Sequence, residues 1–375
     1  MSIPYDHQTP HRFDVVGSFL RSDALKRARA DLEAGAIGHD QLVAIEDEAI
    51  RDLVAKEQAA GLAVITDGEF RRSYWHLDFM WGLQGIDHVE LDHGYFFHGE
   101  ETTHGSAQLT GKISGENHPF VKHFKFVQAL EDKNTVAKQT IPAPAQTLCE
   151  LFRDEEHART TASIYPNIDD LVEDLGTAYR TVIAELYAAG CRHVQLDDCT
   201  WGMIVDKGYW KTRSANGATL EEEAERYLRV NNLALRDLPR DLTVNTHVCR
   251  GNYHSTYAGS GPYDRVAPFL FARENVHAFF LEFDDERSGG FAPLAEVPED
   301  KLVVLGLVTT KSPVLENPEQ VIARIHQAAE YVPLERLCLS PQCGFASCEI
   351  GNKLSEAEQW TKVRLVRQIA EEVWG

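Results

Sequence analysis

The chain contains no run of about 18 apolar residues, so its sequence offers no candidate membrane-spanning helix. Its first residues, Met1-Ser2-Ile3-Pro4-Tyr5-Asp6-His7, lack a basic segment followed by an apolar one, and no secretory leader is expected. Positive charge is scarce: 37 Lys and Arg stand against 58 Asp and Glu, a formal net charge of -21. Nucleic acids and anionic membrane surfaces both require clustered positive charge, so neither is expected as the main partner. A small-molecule substrate or a soluble partner fits better. Cysteine pairs at C-x-x-C spacing are also missing, and the 7 cysteines form no framework. That pattern argues for free thiols in a reducing, cytoplasmic compartment. Internal repeats, low-complexity tracts and Pro- or Ser-rich linkers are absent as well. With 43% hydrophobic residues, the 375-residue chain can bury a large core, and a single catalytic domain over 1–375 is expected.

What is present is a rhythm. Short apolar, β-branched runs recur at 13–16, 63–66, 135–139, 193–196, 242–246, 277–281, 302–307 and 336–339. Between most of them lie stretches of helical apolar spacing, at 40–60, 168–189, 220–235, 264–274 and 318–331. Glycine closes several of these, as in Ala59-Ala60-Gly61-Leu62 and Ala188-Ala189-Gly190-Cys191, where it takes the left-handed turn that stops a helix. The most economical α/β fold for such units is a (β/α)8 TIM barrel, whose functional residues gather at the carboxyl ends of the strands. Residues 81–134 break the rhythm with alternating patches such as Tyr95-Phe96-Phe97-His98, predicting an inserted hairpin or lid between the second and third barrel strands.

The strand ends carry the chemistry. Ser18 follows the first run, Asp67 and Glu69 the second, and Asp197 and Asp198 the fourth. Asn245-Thr246-His247-Val248-Cys249, Phe280-Leu281-Glu282 and Ser340-Pro341-Gln342-Cys343-Gly344 end three others. A strand repeats every two residues, so His247 and Cys249 point to one face. Imidazole, thiolate and carboxylate are donors that hold zinc tetrahedrally at about 2.0 to 2.3 Å. Without C-x-x-C knuckles, a catalytic site with one exchangeable position is expected, and Glu282 is the candidate to yield it. Glu69 and Asp197 near the barrel axis call for a cation, such as a substrate amine, because an unpaired buried charge costs several kcal/mol. Salt bridges to Arg71 or Arg72 are the local alternative. Val16-Gly17-Ser18 can offer N–H groups and a hydroxyl to a carboxylate, or form an ordinary turn. Cys149, Cys191, Cys199 and Cys338 read as buried small hydrophobes, and Cys348 as a weaker ligand candidate.

Taken in order, Val16-Gly17-Ser18-Phe19, Asp67-Gly68-Glu69, Leu196-Asp197-Asp198, Thr246-His247-Val248-Cys249, Leu281-Glu282 and Pro341-Gln342-Cys343-Gly344 resemble the catalytic half of cobalamin-independent methionine synthase, from about residue 13 to 370. The resemblance implies a zinc-bearing barrel that moves a methyl group from a methylated folate to the sulfur of homocysteine. It further implies that His247, Cys249, Glu282 and Cys343 hold the metal and that Ser18, Glu69 and Asp197 grip homocysteine. The family's full-length enzyme resembles two such barrels, whereas this chain has only the catalytic one, so the donor is open between a methyl-folate, a methylated corrinoid protein and a smaller methylated compound. The Ile141-Pro142-Ala143-Pro144 segment falls in the family's pterin region, without the tryptophan that follows it there; Trp75, Trp81 and Trp201 are the substitutes to consider. Where the family carries a histidine before Ser-Pro, this chain reads Thr310-Lys311-Ser312-Pro313. Lys311, as an acid or anion clamp, and Asp198 are the candidate catalytic groups. The alternatives are a zinc-dependent thiol alkyltransferase or demethylase acting on another thiol, like the epoxide-opening coenzyme M transferases, and a metal-binding protein without catalysis. A homo-oligomer is compatible with the sequence.

Overall fold

The structure is a computed structural model describing residues 10–214 and 217–375. Its strands, in chain order, are β1 (Val64–Ile65), β2 (Gln84–Glu90), β3 (Phe96–Phe97), β4 (Glu100–Glu101), β5 (Gly105–Ser114), β6 (Val136–Ala137), β7 (Gln139–Pro142), β8 (His193–Asp198), β9 (Thr243–Val248), β10 (Ala278–Glu282), β11 (Leu302–Val308) and β12 (Leu337–Pro341). Strands β7 to β12 form one parallel sheet in sequential order, and β1 pairs in parallel with β6. Parallel neighbours must be joined by crossovers. Helices supply them, among them Ile168–Ala188 before β8, Leu220–Ala234 before β9 and Pro318–Ala328 before β12. This is a TIM-barrel-type α/β fold. Every residue of β8 through β12 is buried, as expected of strands covered on both faces. Val16, Phe280, Val304 and Cys338 form a small cluster apart from the main core. The main core lies largely between the strands and the helices packed around them.

Seven of the eight expected strand runs are strands, with ends shifted by a few residues. The first, 13–16, is not. It joins its neighbour through one bridge, Phe13 to Leu339. Beyond that bridge side chains take up its carbonyls: Lys138 donates to Val15 (2.6 Å), Gln195 to Val16 (2.7 Å) and Thr66 to Gly17 (2.7 Å). The backbone ladder therefore does not run unbroken around the ring, and the segment is fastened where side chains from β8, from the residue between β6 and β7 and from the residue after β1 reach it.

The insertion is as expected in kind and place. Between β1 and β6, strands β2 and β5 form an antiparallel hairpin, with β3 and β4 as a smaller one at its tip. A helix, Phe120–Gln128, leads back to the ring. No described helix is long and apolar enough to cross a membrane.

Candidate functional site

The carboxyl ends of two adjacent strands and the loop after a third meet at one point. His247 is the penultimate residue of β9 and Cys249 follows it; Glu282 ends β10; Cys343 lies two residues beyond β12. One ligand atom from each falls within 4.8 Å of all the others, and all four residues are buried. The Cys249 thiol donates to Glu282 Oε1 at 3.5 Å and lies 3.7 Å from Cys343 Sγ. Both ring nitrogens of His247 and Glu282 Oε2 are buried and lack any hydrogen-bond partner. Orphaned polar atoms at that depth are expensive, and a shared cation would satisfy them together. The nitrogen, sulfur and oxygen donors therefore fit a bound metal ion. Their electrostatics agree: burial raises the Glu282 carboxyl to about 7, with the Cys249 sulfur adding to the shift and the Lys311 charge opposing it. Hydrogen bonds from Cys199 and Cys343 hold the Cys249 thiol well below its usual range.

Beside this cluster stand the residues expected to grip substrate. Register across β8 and β9 places Asp197 opposite His247. Asp197 accepts from Gln195 Nε2 (2.8 Å), and burial pushes its carboxyl up to about 7. Glu69 also lies in the cavity. One of its oxygens accepts from Arg72 and from Thr140, each at 3.1 Å, while the other is buried without a partner. The local salt bridge and a half-free carboxylate are thus both present. Burial raises the Glu69 carboxyl, with Arg72 and Arg21 opposing. Its backbone is left-handed (φ 62°), held by Arg21 donating to its carbonyl (2.6 Å) and by its N–H donating to Asp67 (2.8 Å). Ser18 Oγ accepts from Ala346 N at 3.3 Å. A Cβ on Gly344 would come within 1.9 Å of that oxygen, so the glycine after Cys343 makes room for Ser18.

Asp198 and Lys311 stand apart from the cavity lining. Asp198 is buried and accepts from Thr200 (N at 2.8 Å, Oγ1 at 2.5 Å) and from Asn231 (3.0 Å). Lys311 Nζ is buried without a hydrogen-bond partner, and its charge acts on Glu282 and Cys343. Cys348 lines the cavity but is outside the four-residue group. Trp75 lines it as well; Trp201 is enclosed, and Trp81 donates to Ser106 O (3.0 Å).

The cavity in front of these groups measures about 590 Å³. The insertion covers part of it: Tyr95, Phe96 and Phe97 are wall residues, and the tip is tied down by Glu100 to His254 (3.0 Å) and Lys353 (2.8 Å). Sequence reasoning missed a buried polar network at the insertion's base. Tyr95 donates to Glu150, Ser106 Oγ donates to Glu150 (2.5 Å), and His157 contacts Ser106 Oγ at 3.0 Å. Burial pushes Glu150 up to about 7 and His76 down to about 3, the latter with help from Arg153. Tyr95 falls in the alternating patch read as an insertion, but nothing local links it to Glu150, 55 positions later.

The pattern of a family described as "Cobalamin-independent synthase, Catalytic domain" matches residues 13–372. An uncharacterised Bacillus subtilis protein, YxjH, is 43% identical over 369 residues, covering 98% of this chain and 96% of its own. The structure of a Listeria monocytogenes protein named after the vitamin-B12-independent methionine synthases superposes with a TM-score of 0.77 at 37% identity, covering 98% of each chain. A 5-methyltetrahydropteroyltriglutamate–homocysteine methyltransferase of Citrobacter koseri is 24% identical over 333 residues, 88% of this chain but 40% of that enzyme.

Proposed function

The chain belongs to the cobalamin-independent synthase family, matching its catalytic domain, and on that premise we propose that it is a zinc-dependent methyltransferase that methylates the thiol of homocysteine to give methionine. The observation that carries this reading is that three members of a buried His, Cys, Glu and Cys group, His247, Cys249 and Cys343, line one cavity together with two incompletely paired carboxylates, Glu69 and Asp197, with Glu282 enclosed behind them. The Citrobacter koseri relative, named for homocysteine methylation, points the same way.

In this reading His247, Cys249, Glu282 and Cys343 hold the zinc, which supplies a lowered thiol pKa and hence a sulfur nucleophile near neutral pH. Glu282, the only oxygen donor of the set, yields most easily to an incoming sulfur. Glu69 and Asp197 bind the ammonium of homocysteine, and that cation relieves the burial that raises both carboxyls. Ser18 offers its hydroxyl to the carboxylate of the same molecule. Lys311, with its unpartnered ammonium, is placed to balance negative charge at the cluster. The seven free cysteines suit a reducing cytoplasm.

Protein loaded with zinc and mixed with homocysteine is expected to release a proton as the thiol becomes a thiolate. A response to a sulfonate thiol instead of homocysteine would move the assignment to a thiol alkyltransferase, since Glu69 and Asp197 repel a sulfonate. Silence with every thiol would leave a metal-binding protein without this catalysis.

A further inference from the structure

The cavity, at about 590 Å³, offers more room than one small amino acid fills and lies in the range that encloses drug-sized ligands. Beyond the metal cluster and the two carboxylates, aromatic rings form part of its wall. Tyr253 meets Phe97 of the insertion with ring centres 5.4 Å apart, and Trp75 lies against His76 at 4.5 Å. The formal charges facing this space have one sign. Glu69, Asp197 and Asp206 line it, and none of the described lining residues is lysine or arginine. Asp206 is held by the N–H groups of Gly208 (2.8 Å), Tyr209 (2.9 Å) and Ser260 (2.9 Å), which favour its ionised form. Arg153, which lies 3.7 Å over Tyr95, is outside the lining and paired with Glu150. Aromatic faces, with Asp206 as the lining carboxylate not engaged by the amino-acid site, attract a cation and repel an anion.

Resting on the homocysteine reading above, we propose that the methyl donor of this protein is a small onium compound, an S-methyl sulfonium or an N-methyl quaternary ammonium, held among Trp75, Phe97 and Tyr253. The transfer balances without a further reactant. A lone pair of the homocysteine thiolate forms the new sulfur–carbon bond, the bond from that methyl carbon to the onium centre breaks, and its electron pair stays on the departing atom. That atom leaves as a neutral thioether or amine, and no proton moves. One positive and one negative charge disappear together, a change that a largely apolar wall favours over bulk water. A neutral N-methyl donor would instead need a proton at its leaving nitrogen, and Lys311, the candidate ammonium acid, is absent from the lining.

Two measurements separate this inference from the function beneath it. Tetramethylammonium titrated into zinc-loaded protein by calorimetry is expected to bind, and Trp75→Leu or Tyr253→Leu to weaken it about tenfold. Tyr253→Phe keeps a π face and should retain binding, which controls for a damaged fold. Zinc-loaded protein is then given homocysteine and methyl-labelled trimethylsulfonium or S-methylmethionine, with label expected in methionine. Label arriving only from methyl-tetrahydrofolate or methylcobalamin overturns the onium donor and leaves the homocysteine reading intact. Onium binding without methyl release also overturns it. Failure of homocysteine to engage the zinc form removes the reading beneath, whatever the titration shows.

Discussion

Cys249 and Cys343 are 94 residues apart in sequence and 3.7 Å apart in space, and that convergence makes single residues testable. His247→Ala and Cys343→Ser should each remove most bound zinc, read by elemental analysis beside an unchanged circular dichroism spectrum. The expected loss of affinity exceeds the 10- to 100-fold, roughly, that follows when a merely supporting group is removed. Asp197 gives a pH prediction with a definite sign. Burial raises its carboxyl from an ordinary 3.8 to about 7, so between those values the native state of the ligand-free protein keeps a proton that the unfolded chain has released. Stability must then fall as pH rises through that window. Asp197→Asn should raise the melting temperature of ligand-free protein at pH 8, by of order 1 kcal/mol of stability, while it weakens homocysteine binding. In the native protein, homocysteine affinity should drop below about pH 7 as Asp197 protonates. Gly344→Ala is expected to displace Ser18 and raise KM for homocysteine at unchanged zinc content, because the added methyl has no space beside the hydroxyl.

At the level of elements, the strands with continuous apolar runs were legible because burial on both faces leaves such a run nothing else to become. The run at 13–16 is also apolar apart from Asp14, yet it is held mostly by Lys138, Gln195 and Thr66, partners that no local pattern announces. The insertion was legible from its alternation as a hairpin or lid, but which of its residues would form the cavity wall was not. That placement depends on Glu100 reaching His254 and Lys353, more than 150 positions later. Replacing residues 94–103 by a short turn should therefore leave zinc content and secondary structure intact and raise KM about tenfold or more, since a cover that orders substrate acts on binding rather than on the fold. If kinetics were unchanged, the tip would be ornament.

On the scale of the whole molecule, a metal bound by the candidate ligands on β9, β10 and the loop after β12 would clasp separate units of the ring. Zinc that binds only the folded chain stabilises it by about 4 kcal/mol when free metal exceeds the dissociation constant a thousandfold. A chelator should accordingly lower the melting temperature, and much less so in His247→Ala. The donor types, their order at the strand ends and the alternation of strand and helix were all legible in the linear sequence, because each depends on residue identity and on periods of two or 3.6 residues. Other features emerged only once the chain closed on itself: Glu69 with one oxygen paired and the other free, Asp198 and Lys311 off the cavity lining, Glu150 and His76 buried together beneath the insertion. Those follow from contacts between residues far apart in sequence, and from a burial that reshapes each group's electrostatics only when the surrounding walls are in place.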